Sequence, residues 1–300
     1  MIKKDRIIPA TYDFIFKKLL SEEDSKPYLA KMISLIIEID YKEILKNIRI
    51  GNTELMSIYK GDKNSIADIV VYIKESKLIN LEMNKNYYKG LIDKNYNYIN
   101  KLGSTLYKKG ESYNSEKQII QINFDNYHFF EKRKLINKCM ITEVETGEIE
   151  NRNMIIYHIN LAYLKEICYS KDIKKLDELE KYCLMLIEES FNKVKKISKG
   201  DEVMEKMVEK ISEVQELTFK AAIYDRKEEE EKIRECYKAT GLEEGLKEGL
   251  KEGLEQGLEQ GKKDIQTKII LKMNEQGFSA KEISDMTGID QKIIKDINKK

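Results

Sequence analysis

Between residues 47 and 164 the chain switches repeatedly between two-residue alternation and helical spacing, and this limits the fold more than any other feature. Strand-like runs fall at 47–50 (NIRI), 66–73 (IADIVVYI), 77–83 (KLINLEM), 118–125 (QIIQINFD) and 153–164 (NMIIYHINLAYL), with a weaker run, KCMITEVE, at 138–145. The Gly/Asp/Asn-rich stretch 57–65 reads as a turn between the first two. Lys74-Glu75-Ser76 is short enough to make a hairpin of the second and third. Residues 11–46 read as two helices, the first opening at Thr11 as a plausible N-cap, and 86–110 reads as another. Helices, a hairpin, a helix and further strands in this order predict an α/β core with a mixed central sheet flanked by helices.

From residue 173 the character changes. Residues 173–238 hold no proline and one glycine, Gly200, with apolar residues at i, i+3 and i+4 among dense Lys and Glu. That pattern predicts long amphipathic helices, here taken as an appendage to the core. Glycines then recur every four residues from Gly241 to Gly261, with Leu242 to Leu258 in the same step. Four residues turn a helix by about 400°, so the stripe drifts about 40° per repeat and winds right-handed. Each glycine costs a helix about 1 kcal/mol, so the segment either packs closely against a partner helix or serves as a connector. The tail, 277–297, offers two short helices around Gly288, with Ile283, Met286, Ile293, Ile294 and Ile297 inward. It suits a helix-turn-helix that reads DNA, or a helical hairpin that caps an oligomer.

The divisions expected are 1–172 for the core, 173–240 for the helical extension, 241–263 for the Gly/Leu repeat and 264–300 for the tail. With 36% charged residues but a net charge of only +1, any nucleic-acid affinity must come from a local patch. Cys139, Cys168, Cys183 and Cys236 lack metal-ligand spacing, which fits reduced thiols in a cytoplasmic protein. No apolar run approaches the ~20 residues that span a bilayer, and the start lacks a signal-peptide stretch, so no membrane partner is expected.

Two acids interrupt otherwise apolar strands: Asp68 within Ile66–Val71, and Glu82 within Leu78–Met83. Such acids either face water on an amphipathic sheet or, when buried, are paired, protonated or metal-bound, because an isolated buried charge costs several kcal/mol. Asp62 and Lys63, just ahead of Asp68, read as turn chemistry. Residues 85–110 then carry Lys85, Lys89, Lys94, Lys101, Lys108 and Lys109 against Asp93 alone, a balance of 6 − 1 = +5. Tyr87, Tyr88, Tyr96 and Tyr98 interleave with them. Lysines supply phosphate contacts and tyrosines stacking surfaces, so Lys85, Lys89, Lys94, Lys101 and Tyr98 are candidate DNA-binding residues. A solvated lysine face with tyrosines packed inward is the alternative. His128 and His158 stand alone among aromatic and strand residues and read as packing.

Taken in order, the segments 11–20, 61–73, 77–85 and 94–113 and the glycine repeat resemble the Rpn family of recombination-promoting nucleases, in the PD-(D/E)XK superfamily. The resemblance covers about residues 9–125 and extends in style through the repeat. It implies a restriction-endonuclease-like core and a magnesium-dependent DNA endonuclease, with manganese as a substitute, active in recombination, mobile elements or defence. The family's first signature, an aspartate followed by Phe-Lys-Lys, falls on Asp13, Phe16, Lys17 and Lys18. Its metal-binding aspartate falls on Asp68 and its strand glutamate on Glu82, and the superfamily's geometry brings the Met83 carbonyl into the metal shell. Where the superfamily has lysine and this family usually glutamine, the chain has Asn84. An amide hydrogen-bonds a water or phosphate oxygen but takes no proton, so activation of water would fall to the metal. Lys85, next along, points to the opposite strand face. Asp13 is either a further carboxylate at the metal or a first-turn residue favoured by the helix dipole. Homo-oligomerisation through the C-terminal helices completes the leading reading. Its rival is a catalytically weak or inactive DNA-binding or oligomeric scaffold built on the same fold.

Overall fold

A computed structural model of the chain describes residues 5–55, 65–112, 117–221 and 226–297. Asp62, Lys63 and most of the turn expected at 57–65 lie outside the described residues. The chain divides into two compact units, residues 1–230 and 231–300.

The first unit is built on a six-stranded mixed sheet. Its strands are β1 (Ile48–Ile50), β4 (Ile69–Ile73), β5 (Lys77–Asn84), β6 (Gln118–Asp125), β7 (Ile136–Thr142) and β8 (Ile149–Asn160). A separate short ribbon pairs β2 (Glu54–Leu55) with β3 (Ser65–Ile66). The sheet order is β1-β4-β5-β6-β8-β7, in which β5, β6 and β8 run parallel and the other neighbours antiparallel. The β4–β5 hairpin turns at residues 74–76, where Lys74 takes a left-handed φ of 54°. The run at 138–145 does form a strand, β7, and the one at 153–164 ends as a strand at Asn160. There the Asn160 side chain accepts from the Tyr163 N–H and caps α5 (Leu161–Ser170).

Strand alternation gives the sheet two different faces. Ile69, Val71, Ile79, Leu81, Met83, Ile120, Ile122, Phe124, Tyr157 and Ile159 point into the main core. Helices α1 (Asp13–Leu20), α2 (Lys26–Ile37), α3 (Tyr41–Asn47) and α6 (Glu178–Ile187), α7 (Phe191–Ser198) and α8 (Glu202–Ala221) contribute most of its remaining buried residues, with Leu161 and Leu164 from α5. The division expected at residue 172 therefore does not coincide with a break in packing. Tyr182, Cys183, Val194, Met207 and Ile211 belong to the same core as the strands, and the Tyr28 hydroxyl donates to the Tyr182 carbonyl at 2.6 Å. The Gln215 side chain accepts from the Ile8 N–H and donates to the Ile8 carbonyl, both at 2.9 Å, tying α8 to the N-terminal segment. Apolar residues at helical spacing carried this information, since such a stripe needs a surface to bury against.

The other face of the sheet carries α4 (Leu91–Gly103), shorter than the expected 86–110. Gly90, with φ 87°, starts it in a left-handed conformation that side-chain-bearing residues rarely adopt. Val70, Leu78, Tyr98, Ile99, Leu102, Ile119 and Ile156 form a small apolar cluster between α4 and the sheet.

Helix α9 (Arg226–Glu275), which from residue 231 on belongs to the second unit, contains the glycine repeat and is followed by α10 (Ala280–Thr287) and α11 (Gln291–Ile297). Ser279 and Glu282 form a reciprocal capping box, and Gly288 ends α10 with φ 72°. Ile270, Ile283, Ile289 and Ile294 make the unit's core. Met286, expected inward, is 63% exposed, because the inner position one turn after Ile283 goes to Thr287, whose hydroxyl donates to the Ile283 carbonyl at 2.6 Å. On α9, Leu250, Leu254 and Leu258 are exposed, and a Cβ added at Gly249, Gly253, Gly257 or Gly261 would meet nothing within 4 Å.

Candidate active site

On the α4 side, each central parallel strand begins apolar and ends polar. Leu78 gives way to Asn80, Glu82 and Asn84; Ile119 to Gln121, Asn123 and Asp125; Ile156 to His158 and Asn160. The register aligns them in rows, Asn80 with Gln121, Glu82 with Asn123 and His158, and Asn84 with Asp125 and Asn160. All eight polar residues are buried. The carboxyl ends of parallel strands in open α/β sheets are where such folds place ligand sites.

Asp68 stands just before β4, one step beyond the Ile69–Leu81 pair, so it faces Glu82. The backbone locks the two together: the Met83 N–H donates to Asp68 Oδ2 at 2.9 Å, and the Asp68 N–H to Glu82 Oε1 at 3.2 Å. Asn80 Nδ2 also donates to Glu82 Oε1, at 3.2 Å, leaving one oxygen of each carboxylate for a cation. Lys17 Nζ lies 3.2 Å from Asp68 Oδ1, and Lys94 Nζ 3.0 Å from Glu82 Oε2. Burial drives the Asp68 pKa well above the ordinary carboxylate value, helped by the negative charges of Glu82 and Asp13. Burial alone would lower both ammoniums. For Lys94 the charges of Glu82 and Asp68 outweigh it, and for Lys17 those of Asp68 and Asp13, so both end above the usual lysine value.

The family model described as PD-(D/E)XK nuclease family transposase matches residues 10–238. The chain belongs to this family. No curated protein and no solved structure matches it. The resemblance to Rpn-like proteins and the expected nuclease-type α/β fold with helical C-terminal region both hold.

Nucleases of the PD-(D/E)XK superfamily generally use divalent metals, and the donor set here fits one. Buried carboxylates and a peptide carbonyl are the hard oxygen ligands that magnesium-like ions take. In each carboxylate one oxygen is already held by N–H donors while the other faces positive charge. Among the described residues no three Asp, Glu, His or Cys side chains converge as a metal cluster, so an ion at Asp68 and Glu82 would need oxygen donors beyond these two side chains. Asp13, at the start of α1 and 61% exposed, reaches the pair through Lys17, whose ammonium it shares with Asp68.

The lysine- and tyrosine-rich segment of this nuclease-family chain distributes differently from the expected DNA surface. Lys94 turns inward to Glu82, and Tyr98, expected at the DNA surface, is instead buried in the cluster under α4, its ring centroid 5.0 Å from the Lys94 ammonium. Helical spacing puts Tyr98 on the same inner face as Leu91, Asn95 and Leu102. Lys89 is exposed and Lys101 half-buried, while Lys85 sits over the Tyr12 ring at 3.3 Å. Asn84 does not meet the carboxylate pair; its Nδ2 donates to Asp125 Oδ1 at 2.9 Å.

Sequence reasoning missed Lys17 as a partner of Asp68, and it missed Gln121, Asn123 and Asp125 altogether. His158, read as packing, meets Asp125 Oδ2 through Nδ1 at 2.7 Å. The signal was present in β6, where Gln121, Asn123 and Asp125 occupy alternate positions, the period of a single strand face.

Proposed function

We propose that this chain is a metal-dependent endonuclease that hydrolyses phosphodiester bonds in DNA, acting in recombination, mobile elements or defence. The observation that carries the reading is the Asp68–Glu82 pair, buried face to face just before β4 and in β5 with one oxygen of each turned to a cation. Asp68, Glu82 and the Met83 carbonyl would hold Mg²⁺, with Mn²⁺ as a substitute. Such an ion, when bound, supplies hydroxide at neutral pH and offsets charge growing on the phosphate.

The chain's own residues do the rest. The N–H donors of Asp68, Met83 and Asn80 fix the carboxylates before any ligand arrives, so their alignment costs nothing at the moment of reaction. Lys94 offers the positive charge that Asn84 lacks, and once its pairing with Glu82 loosens it donates to a phosphate oxygen. Lys17 plays the same part beside Asp68, oriented by Asp13. Lys85, Lys89 and Lys101 hold the flanking DNA backbone. The exposed Leu250, Leu254 and Leu258 of α9 support self-association through the C-terminal helices.

Cleavage of supercoiled plasmid in Mg²⁺ and in Mn²⁺, by wild type, Asp68→Asn and Glu82→Gln, tests the reading. A second reading, an inactive DNA-binding or oligomeric scaffold, is favoured by the engagement of Asn84 with Asp125 rather than with the carboxylate pair. Gel shifts at two salt concentrations separate them: a scaffold binds DNA equally well after Asp68→Ala and cleaves none.

A further inference from the structure

Asp125 is the most enclosed acid on the polar face apart from Glu82, and the carboxylate pair does not use it. It is fully buried and collects three partners: Asn84 Nδ2 at 2.9 Å and the Tyr127 hydroxyl at 3.0 Å, both on Oδ1, and His158 Nδ1 at 2.7 Å on Oδ2. Phe129 stacks on the His158 ring at 4.2 Å and fixes its plane. Burial, together with Asp125, holds the Tyr127 phenol above its ordinary pKa, so it stays a donor. A buried carboxylate is tolerated when its lone pairs are filled in this way, and one so filled can only accept.

This settles which way the Asn84 amide points. Oxygen and nitrogen of an amide are interchangeable in shape, and the hydrogen-bond network decides between them. Facing an acceptor, Asn84 must turn its NH₂ to Asp125, which leaves Oδ1 on the other side. Among the described residues Oδ1 accepts no hydrogen bond, yet it is not one of the polar atoms sealed from solvent without a partner. Asn84 lies two residues after Glu82, on the same strand face. An asparagine, one methylene shorter than the glutamine usual at this place, spans directly to Asp125 across the β5–β6 ladder.

We propose that Asp125 is a positioning residue for cleavage: by holding the Asn84 NH₂, it presents Asn84 Oδ1 as the acceptor that orients the attacking water. The proposal rests on the nuclease reading. His158 and Tyr127 complete the acceptor's shell and so act one step further out. A water oriented by an amide oxygen keeps both protons until it meets a stronger base, so Asn84 aligns the water without deprotonating it.

A double-mutant cycle on the full chain tests this, with plasmid cleavage kinetics of wild type, Asn84→Ala, Asp125→Ala, Asp125→Asn and Asn84→Ala/Asp125→Ala. Asp125→Ala is expected to lower kcat about tenfold or more with KM for DNA unchanged. Asp125→Asn, which keeps an acceptor oxygen, should recover most of the rate. The double variant should be no slower than Asn84→Ala, because the two residues act through one contact. If Asp125→Ala loses cooperative melting, Asp125→Glu replaces it: displacing the acceptor by one methylene should slow wild type and leave the Asn84→Ala background unchanged. Wild-type kcat in Asp125→Ala, or a full additional loss on the Asn84→Ala background, overturns the positioning role alone. A wild type that cleaves nothing in either metal ends the nuclease reading and this one with it.

Discussion

The Asp68 N–H donates to Glu82 Oε1 at 3.2 Å, and so the backbone of one acid holds the side chain of the other. With the Met83 N–H returning to Asp68 Oδ2, the hairpin closes a small ring of contacts around two buried charges. Each charge then needs a cation on its remaining oxygen, and Lys17 and Lys94 are the cations present. Several outcomes depend on that arrangement.

Removing Lys94 should destabilise the metal-free protein, because Glu82 is wholly buried and loses its counter-charge. Breaking a buried pair costs 3–5 kcal/mol, but Lys94 is partly solvated, so Lys94→Met should cost about 2 kcal/mol in urea unfolding. Added Mg²⁺ should restore more stability to the variant than to wild type. An equal gain in both would show that metal and ammonium do not share Glu82.

The raised pKa of Asp68 sets a pH dependence. An acid that holds its proton more tightly folded than unfolded loses its contribution to stability as pH rises, from the ordinary value of 3.8 through the raised folded value. Metal-free wild type should therefore weaken across that window, and metal affinity should rise across it as the proton leaves. Asp68→Asn should flatten both trends and, at neutral pH without metal, be more stable than wild type by about 1–2 kcal/mol. Thermal melts and calorimetric metal titrations at several pH values measure each trend.

Tyr98 and the lysines on either side of it, Lys89 and Lys101, should separate cleanly. Tyr98→Ala removes a buried ring and should cost about 3–4 kcal/mol of stability, while Tyr98→Phe should leave DNA affinity unchanged. Lys89→Ala and Lys101→Ala should leave stability within about 0.5 kcal/mol. Each should reduce the slope of log affinity against log salt by about 0.9, as read in gel shifts.

How much of this was legible in the residues depends on which contacts are local. The order of strands, the hairpin at 74–76 and both acids were readable, because two-residue alternation exposes an acid among Ile, Leu and Val directly. Lys17 and Lys94 were visible as lysines, but not as partners of Asp68 and Glu82. Those pairings join residues 51 and 12 apart in sequence through the docking of α1 and α4 on the sheet, which spacing alone does not encode. Tyr98 was misjudged because a tyrosine beside lysines suits both stacking and burial, and only the position of the inner helix face decides. Asp125 went unnoticed, and His158 read as packing, because a polar residue at every second position of a strand also describes an ordinary solvent-facing sheet.

The glycine repeat gives a further test. Replacing Leu250, Leu254 and Leu258 with serine should leave the melting of the first unit unchanged, since their side chains are exposed. Self-association through the repeat predicts an oligomeric wild type and a monomeric variant in light scattering over a concentration series. A wild type already monomeric at high concentration would assign the repeat to a connector.

The most direct measurement is cleavage of supercoiled plasmid by purified wild type in Mg²⁺ and in Mn²⁺, beside Asp68→Asn and Glu82→Gln variants shown to be folded by melting. The Asp68–Glu82 site predicts nicked and linear product with wild type, loss of product on chelation, and at least a hundredfold lower rate in either variant. Intact plasmid with wild type in both metals, or cleavage that persists unchanged in both variants, would contradict it.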